Sequence, residues 1–269
     1  MQTTLSTQTV KVGSVEIGGP SFTVIAGPCS VESREQFLTT ALAVKKSGAQ
    51  LLRGGIWKVR TSAAAFQGLG QDSYSFISDV LKETGLQLVS EIMEPRQMAE
   101  IHEFVGMYQV GARNMQNTAL LKELGRQKKP VLLKRGFGSL VDEWLKAADY
   151  IHREGNPNVV LCERGIRTFE TATRFTLDLN SVVYVKDRTR LPVIVDPSHA
   201  VGISALVPRL AFASAAAGAD GLIVEVHSDP TKALSDGLQA LTLKGFDEMM
   251  SKLGRVLKAV DRSFDGKPS

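Results

Sequence analysis

Cys29, His199, Glu225 and Asp236 carry soft or anionic donor atoms where apolar stretches of this sequence give out. Cys29 closes a first apolar run and His199 a seventh, Glu225 lies in an eighth, and Asp236 follows in the next loop or helix start. One thiolate, one imidazole and two carboxylates suit a divalent transition metal such as Mn, Fe, Co or Zn better than Ca or Mg. Each has a plainer alternative. A cysteine in a Gly-Pro-Cys-Ser turn is usually a small buried hydrophobe, and an aspartate before Gly237 and an apolar stretch serves as a helix N-cap. Cys162 precedes Glu163-Arg164 and shares strand parity with Arg164, so it reads as core packing beneath a site; a reversible disulfide with Cys29 is the minor alternative. His102 and His152 fall in helical patterns, and His227 reads as a surface residue.

A second group is basic: Arg53, Lys58, Arg60, Arg113, Lys134, Arg135, Arg164 and Arg167, all in the tails of apolar runs. Gathered at one place they would repel one another unless anions were present. Arginine grips phosphate or carboxylate with a planar fork and lysine supplies a mobile point charge. That many cations suggests a diphosphate or two phosphorylated substrates. For Arg135 and Arg167 a surface ion pair is an equal alternative.

The elements that must position these groups are eight short apolar runs. FTVIAGPC starts at Phe22, QLLRGGIW at Gln50, LQLVSEI at Leu86, MYQVGARN at Met107, PVLLKRG at Pro130, VVLCERG at Val159, LPVIVDPSH at Leu191 and GLIVEVH at Gly221. They recur about every 28 residues, one β-loop-α-loop unit each, and are continuously apolar as buried parallel strands are. Helical patterns fall between them over Ser33–Ser47, Tyr74–Thr84, the segment after Ser139, Leu206–Ala217 and Leu238–Val260, the last with breaks expected at Gly245 and Gly254. Thr168–Arg190 holds either a helix or a long loop. The fold expected is a single (β/α)8 TIM barrel over residues 21–269, with an N-terminal extension over 1–20 whose TVKVGSVEIGG segment forms a hairpin on the barrel floor. A doubly wound sheet is the rival, but no GxGxxG follows the first strand. No linker or fused regulatory domain is expected. In a closed barrel the last strand pairs with the first, which brings Cys29 beside Glu225.

Composition narrows the class. The chain has 269 residues, 43% hydrophobic and 22% charged, with 32 Lys+Arg against 28 Asp+Glu and a formal net charge of +4. That is a globular protein, neither a disordered tail nor a dedicated nucleic-acid binder. Two cysteines make no disulfide framework. No apolar run reaches the ~20 residues that span a bilayer, and the N-terminus lacks a signal core. A cytoplasmic protein without membrane contact is expected.

Read in order, the tails resemble one family. AGPCSVES, LLRGGIWKVRTS, AFQGLG, SEIM, GARNMQN, LLKRG, CERGIRTFE, VDPSHA and VEVHSDPTKALSDG, from about Val12 to about Leu241, are similar to 3-deoxy-D-arabino-heptulosonate 7-phosphate (DAHP) synthases. The likeness is to the short type I-beta form that shares its barrel with 3-deoxy-octulosonate 8-phosphate synthase. The resemblance implies condensation of phosphoenolpyruvate with erythrose 4-phosphate at the start of the shikimate pathway. It puts the metal ligands on Cys29, His199, Glu225 and Asp236, and the phosphoenolpyruvate pocket on Arg53, Lys58, Arg113, Lys134 and Arg164. It puts the second substrate's phosphate on Arg60 and Thr61 with Ser62 adjacent, and sets Glu91 and Gln116 along the cavity. Lys58 is expected to act as general acid with its pKa lowered by Arg53 and Arg60, and Glu91 or Glu163 to activate water. The chain departs from the family at Val59, where a proline would preorganise the loop. Val-Arg-Thr-Ser does not match the octulosonate enzymes' pattern, so erythrose 4-phosphate is preferred to arabinose 5-phosphate, the rival substrate; an inactive barrel acting as a binding partner is the non-enzymatic alternative. The family also implies a homo-oligomer, usually a tetramer; with no fused regulatory domain expected, feedback control by aromatic amino acids would need a separate regulatory chain, and the chain itself is expected to be insensitive to them.

Overall fold

The computed structural model describes residues 6–58 and 64–266. A two-stranded antiparallel hairpin, β1 (Val10–Val12) and β2 (Val15–Ile17), precedes eight parallel strands that close on themselves. These are β3 (Thr23–Gly27), β4 (Leu51–Arg53), β5 (Gln87–Ile92), β6 (Val105–Val110), β7 (Val131–Lys134), β8 (Val159–Glu163), β9 (Val193–Val195) and β10 (Gly221–Glu225). Each pairs with its sequence neighbour, and β10 pairs with β3 from Gly221↔Thr23 to Glu225↔Gly27. The expected (β/α)8 barrel and hairpin are therefore both present.

Helices α1 (Arg34–Lys46), α2 (Tyr74–Thr84), α3 (Arg96–Ile101), α4 (Thr118–Gly125), α5 (Val141–Arg153), α6 (Leu179–Arg188), α7 (Pro197–Val201), α8 (Val207–Ala216) and α9 (Leu243–Ala259) surround the sheet. Local signals set their ends. Ser33 accepts from the Gln36 backbone N–H to start α1, and Gly85, at φ 68°, ends α2 in a left-handed turn. Two expectations need correction. α9 starts at Leu243, not Leu238, because Thr242 caps Gly245 N–H, and it runs unbroken through Gly254. The Thr168–Arg190 segment holds both alternatives, a long loop and then α6, capped by Asp178.

Strand residues alternate between two cores. One set, including Val24, Leu52, Leu88, Tyr108 and Leu133, packs under the helices. The other points into the barrel: Ile25, Leu51, Val89, Met107, Leu132, Val160, Ile194 and Ile223, one from each strand, joined by Val10, Val12 and Ile17 of the hairpin. Val12 and Gly13 lie against Gln87 and Gly106 at the strands' N-terminal ends, so the hairpin closes that end and leaves the other open. Among the described residues no helix is long and apolar enough to cross a membrane.

Candidate active site

Two residues beyond each inward apolar side chain, strand parity turns inward again. Those positions are Gly27, Arg53, Glu91, Gln109, Lys134, Cys162, Asp196 and Glu225. The open end of the barrel thus carries two cations and three carboxylates within one ring of side chains. Gly111 lets Glu91 stand there: a Cβ on Gly111 would lie 2.0 Å from Glu91 Oε1.

The β10–β3 seam brings Cys29, His199, Glu225 and Asp236 together, with one donor atom of each lying within 4.8 Å of the others. His199 sits on the short helix α7, started by Asp196 and Pro197. Asp196 accepts from the His199 backbone N–H with Oδ1 (2.9 Å), and its Oδ2 takes His199 Nδ1 (2.7 Å) and Lys134 Nζ (2.5 Å). Burial raises a carboxyl's pKa, but here His199 and Lys134 outweigh it and hold Asp196 well below the usual range. Burial carries His199 down to about 4, against the pull of Asp196 and Glu225. The neutral ring therefore donates from Nδ1 and turns the bare lone pair of Nε2 toward Glu225 Oε1 at 3.1 Å and Asp236 Oδ2 at 3.9 Å.

Two acceptors facing each other across 3.1 Å repel unless a cation or proton lies between. Glu225 Oε1 is also buried without a hydrogen bond, although Arg53 Nη2 stands 3.1 Å away. Cys29 Sγ donates to Asp236 Oδ2 at 3.1 Å. Burial and then Glu225 push its thiol pKa far up, the behaviour of a thiol that ionises only against a strong positive charge. The histidine's second nitrogen on a carboxylate is the arrangement that orients metal-binding imidazoles. The donor set fits a divalent transition metal.

Beside this cluster lies a cavity of about 250 Å³, lined by Lys58, Ala65, Glu91, Gln109, Gly111, Ala112, Arg113, Lys134, Phe137, Arg164, Arg174, His199 and Asp236. Arg53 is outside its lining, with Nη2 3.1 Å from Glu225 Oε1 and Nη1 buried and lacking a hydrogen-bond partner. Arg164 rests 4.3 Å from the Phe175 ring centroid and 4.9 Å from that of Phe137, two rings stacked at 5.1 Å. Burial lowers its pKa to about 10. Lys58 Nζ stands 3.9 Å from Asp236 Oδ2. The expected lowering of the Lys58 pKa is reversed: burial does lower it, but the charges of Cys29, Glu91 and Glu225 together outweigh burial and Arg53.

Several expected members lie elsewhere. Arg135 turns away from the cavity and is buried, with Nη1 bonded to Glu163 (3.0 Å), Asp178 (2.9 Å) and Ser181 (3.0 Å). Glu163 is fully buried behind β8, its Oε1 accepting from Gly165 N–H at 2.7 Å, so it does not reach the cavity. Gln116 is exposed and outside the described lining, and Arg167 lies over Phe137 at 5.4 Å, also outside it. His227 is buried rather than on the surface, paired with Glu32 at 3.2 Å. Cys162 packs in the barrel interior, and both cysteines are free.

Comparison with known proteins places these features in a family. The DAHP synthetase I family profile matches residues 2–261. The chain belongs to that family. It is 45% identical over 251 residues to phospho-2-dehydro-3-deoxyheptonate aldolase of Thermotoga maritima, covering 93% of this chain and 74% of that protein. A 2-dehydro-3-deoxyphosphooctonate aldolase of Bradyrhizobium diazoefficiens is 32% identical over 263 residues, covering 91% and 93%. The crystal structure of the Thermotoga DAHP synthase superposes with a TM-score of 0.93 at 43% identity, over 96% of this chain and 76% of that one. A truncated form of the Thermotoga synthase gives 0.89 at 41% identity, over 96% and 95%.

The loop after Lys58, where a departure from the family was expected at Val59, carries Val59, Arg60, Thr61 and Ser62, which lie outside the described residues. The motifs shared with the family did not single out Gln109, Phe137, Arg174, Asp196 or Gln239. Parity with Met107 and Ile194 would have found Gln109 and Asp196, and Asp-Pro before His199 reads as a helix start. Nothing local marks the other three, which come from loops that meet only in the folded barrel.

Proposed function

We propose that this chain condenses phosphoenolpyruvate with erythrose 4-phosphate and water, giving DAHP and inorganic phosphate, with residues 21–269 as the catalytic unit. The observation that carries this reading is the juxtaposition of a four-donor cluster, with Glu225 Oε1 buried and lacking a hydrogen bond, and a cavity walled by Lys58, Arg113, Lys134 and Arg164. A transition metal wants the first, and a doubly anionic enol phosphate wants the second. Family membership supports the same chemistry.

Cys29, His199, Glu225 and Asp236 would hold a divalent ion of the Mn, Fe, Co or Zn kind, which would supply Lewis-acid polarisation of the sugar phosphate's aldehyde. Lys134, Arg164 and Arg113 bind the carboxylate and phosphate of phosphoenolpyruvate, with Arg53 beside Glu225. The enol C3 attacks the aldehyde carbon, forming the new C–C bond, and the carbonyl oxygen takes a proton from Lys58 Nζ. Its raised pKa keeps Lys58 an ammonium until an oxygen as basic as an alkoxide develops beside it. Water then adds to C2; the C2–O bond to phosphate breaks as the new C2 hydroxyl becomes the ketone, its proton leaving with the phosphate. Glu91, which lines the cavity, takes the water's proton in this reading, and Glu163, bonded to Arg135 and Gly165, does not. Arg60, Thr61 and Ser62 receive the second substrate's phosphate. In this reading the chain works as a cytoplasmic homo-oligomer, a tetramer, with any aromatic feedback arriving through a separate chain.

Phosphate release tests it. Release should require phosphoenolpyruvate, erythrose 4-phosphate and a divalent metal together, stop with EDTA and return with Mn²⁺. Equal release with arabinose 5-phosphate would move the assignment to the octulosonate synthases, and full turnover in verified metal-free protein would remove the metal's role.

A further inference from the structure

Glu225 and Asp236 each turn one oxygen toward the donor cluster and have the other oxygen held from outside it. Glu225 Oε1 and Asp236 Oδ2 are the atoms near His199 Nε2. Glu225 Oε2 accepts from Gln239 Nε2 at 2.6 Å. Gln239 Oε1 accepts in turn from Arg174 Nη1 at 2.7 Å, and the same nitrogen lies 3.5 Å from Asp236 Oδ1. One amide and one guanidinium thus bridge the outward oxygens of both carboxylates.

The bridge is anchored. Gln239 is 2% exposed and ends a single turn, Gly237–Gln239, that begins at Asp236. Asp236 itself has φ 53° and ψ 28°, a left-handed conformation uncommon outside glycine that aspartate tolerates better than most residues. On the other side, Arg174 N–H donates to Val201 O (3.1 Å) and Phe175 N–H to Ala200 O (2.8 Å), fastening the Arg174 loop to the helix that carries His199. Three of the four donors are therefore tied together through residues that do not belong to the donor set.

We propose that Gln239, backed by Arg174, is a positioning residue of the metal site: it fixes the carboxylate rotations so that Glu225 Oε1 and Asp236 Oδ2 converge, and so sets metal affinity. This rests on the metal reading above. A glutamine suits the task because its amide donates to one carboxylate while accepting from the arginine, so no net charge is added beside the ion. Outer partners of metal ligands typically control affinity by about 10–100-fold.

Co²⁺ titration of metal-free protein without substrate tests it, reading affinity from chelator competition and geometry from the visible spectrum. Gln239→Leu should weaken Co²⁺ binding by about 10–100-fold and alter the d–d bands, while the thiolate-to-cobalt charge-transfer band from Cys29 persists. Arg174→Met should weaken binding less, and adding it to Gln239→Leu should cost little more, since both act through one bridge. Binding by Gln239→Leu with wild-type affinity and spectrum overturns the proposal and leaves the metal site standing. No thiolate–cobalt band in the wild type overturns the metal reading itself. Should Gln239→Leu lose its native circular dichroism, Gln239→Asn, whose amide is one methylene too short to span both partners, and Arg174→Met are judged by the same criteria.

Discussion

The lower and upper layers of the barrel interior use the same eight strands and the same inward parity, only two residues and about 6–7 Å apart. The lower layer is Ile25, Leu51, Val89, Met107, Leu132, Val160, Ile194 and Ile223, sealed by the hairpin. The upper layer carries Arg53, Glu91, Gln109, Lys134, Asp196 and Glu225. Below, every side chain finds its partner within the protein. Above, Arg53 Nη1 and Glu225 Oε1 have no hydrogen bond although both are buried. The lower layer is satisfied within the fold, and the upper one leaves buried charge open; in the proposed function that charge faces the ligands. A low-dielectric floor under the charges strengthens their action on whatever binds.

Substitutions that separate the two layers can break this contrast. The largest expected effect is His199→Ala, which should lower turnover by about a thousandfold or more, as loss of a metal's Lewis-acid role would, and leave the melting temperature near that of the native chain; phosphate release and calorimetry read the two. A large loss of stability instead would make the upper layer structural. Leu132→Ala should do the reverse, costing about 2–5 kcal/mol in denaturant unfolding with kinetic constants at 25 °C near wild type. Arg164→Ala should raise the phosphoenolpyruvate KM and lower kcat/KM by about 10–100-fold, the loss of one or two charge-assisted hydrogen bonds; unchanged kinetics would remove Arg164 from the pocket. The smallest effect, about 1 kcal/mol, is expected for Ile17→Val in the hairpin, and only unfolding should register it.

Much of the barrel was legible in the sequence because its strands are buried on both faces and therefore uniformly apolar, and because polar residues interrupt each run at the same end. The four-donor cluster was legible for the same reason, once closure of last strand on first was assumed. Orientation at the strand ends was harder. Lys134 and Arg135 are adjacent, and so are Glu163 and Arg164, yet Lys134 and Arg164 enter the cavity while Arg135 and Glu163 point outward and pair with each other. Parity already applied to Cys162 and Arg164 predicts that outcome, since Glu163 lies between them. The tails of the apolar runs read as one large basic group; alternation divides it into cavity-facing cations and a buried clamp that Asp178 and Ser181 of the α6 end complete.

Residue type and spacing alone were enough for the repeating strand–helix unit, the polar strand ends and the chemistry their side chains permit, because those depend on local periodicity and burial. Which oxygens of Glu225 and Asp236 face the cluster, which charges surround Lys58, and that Gln239 and Arg174 contact those carboxylates follow only from the closed barrel. Each depends on distances between loops far apart in the chain. Electrostatic sign and hydrogen-bond direction follow those distances, and no one-dimensional pattern contains them.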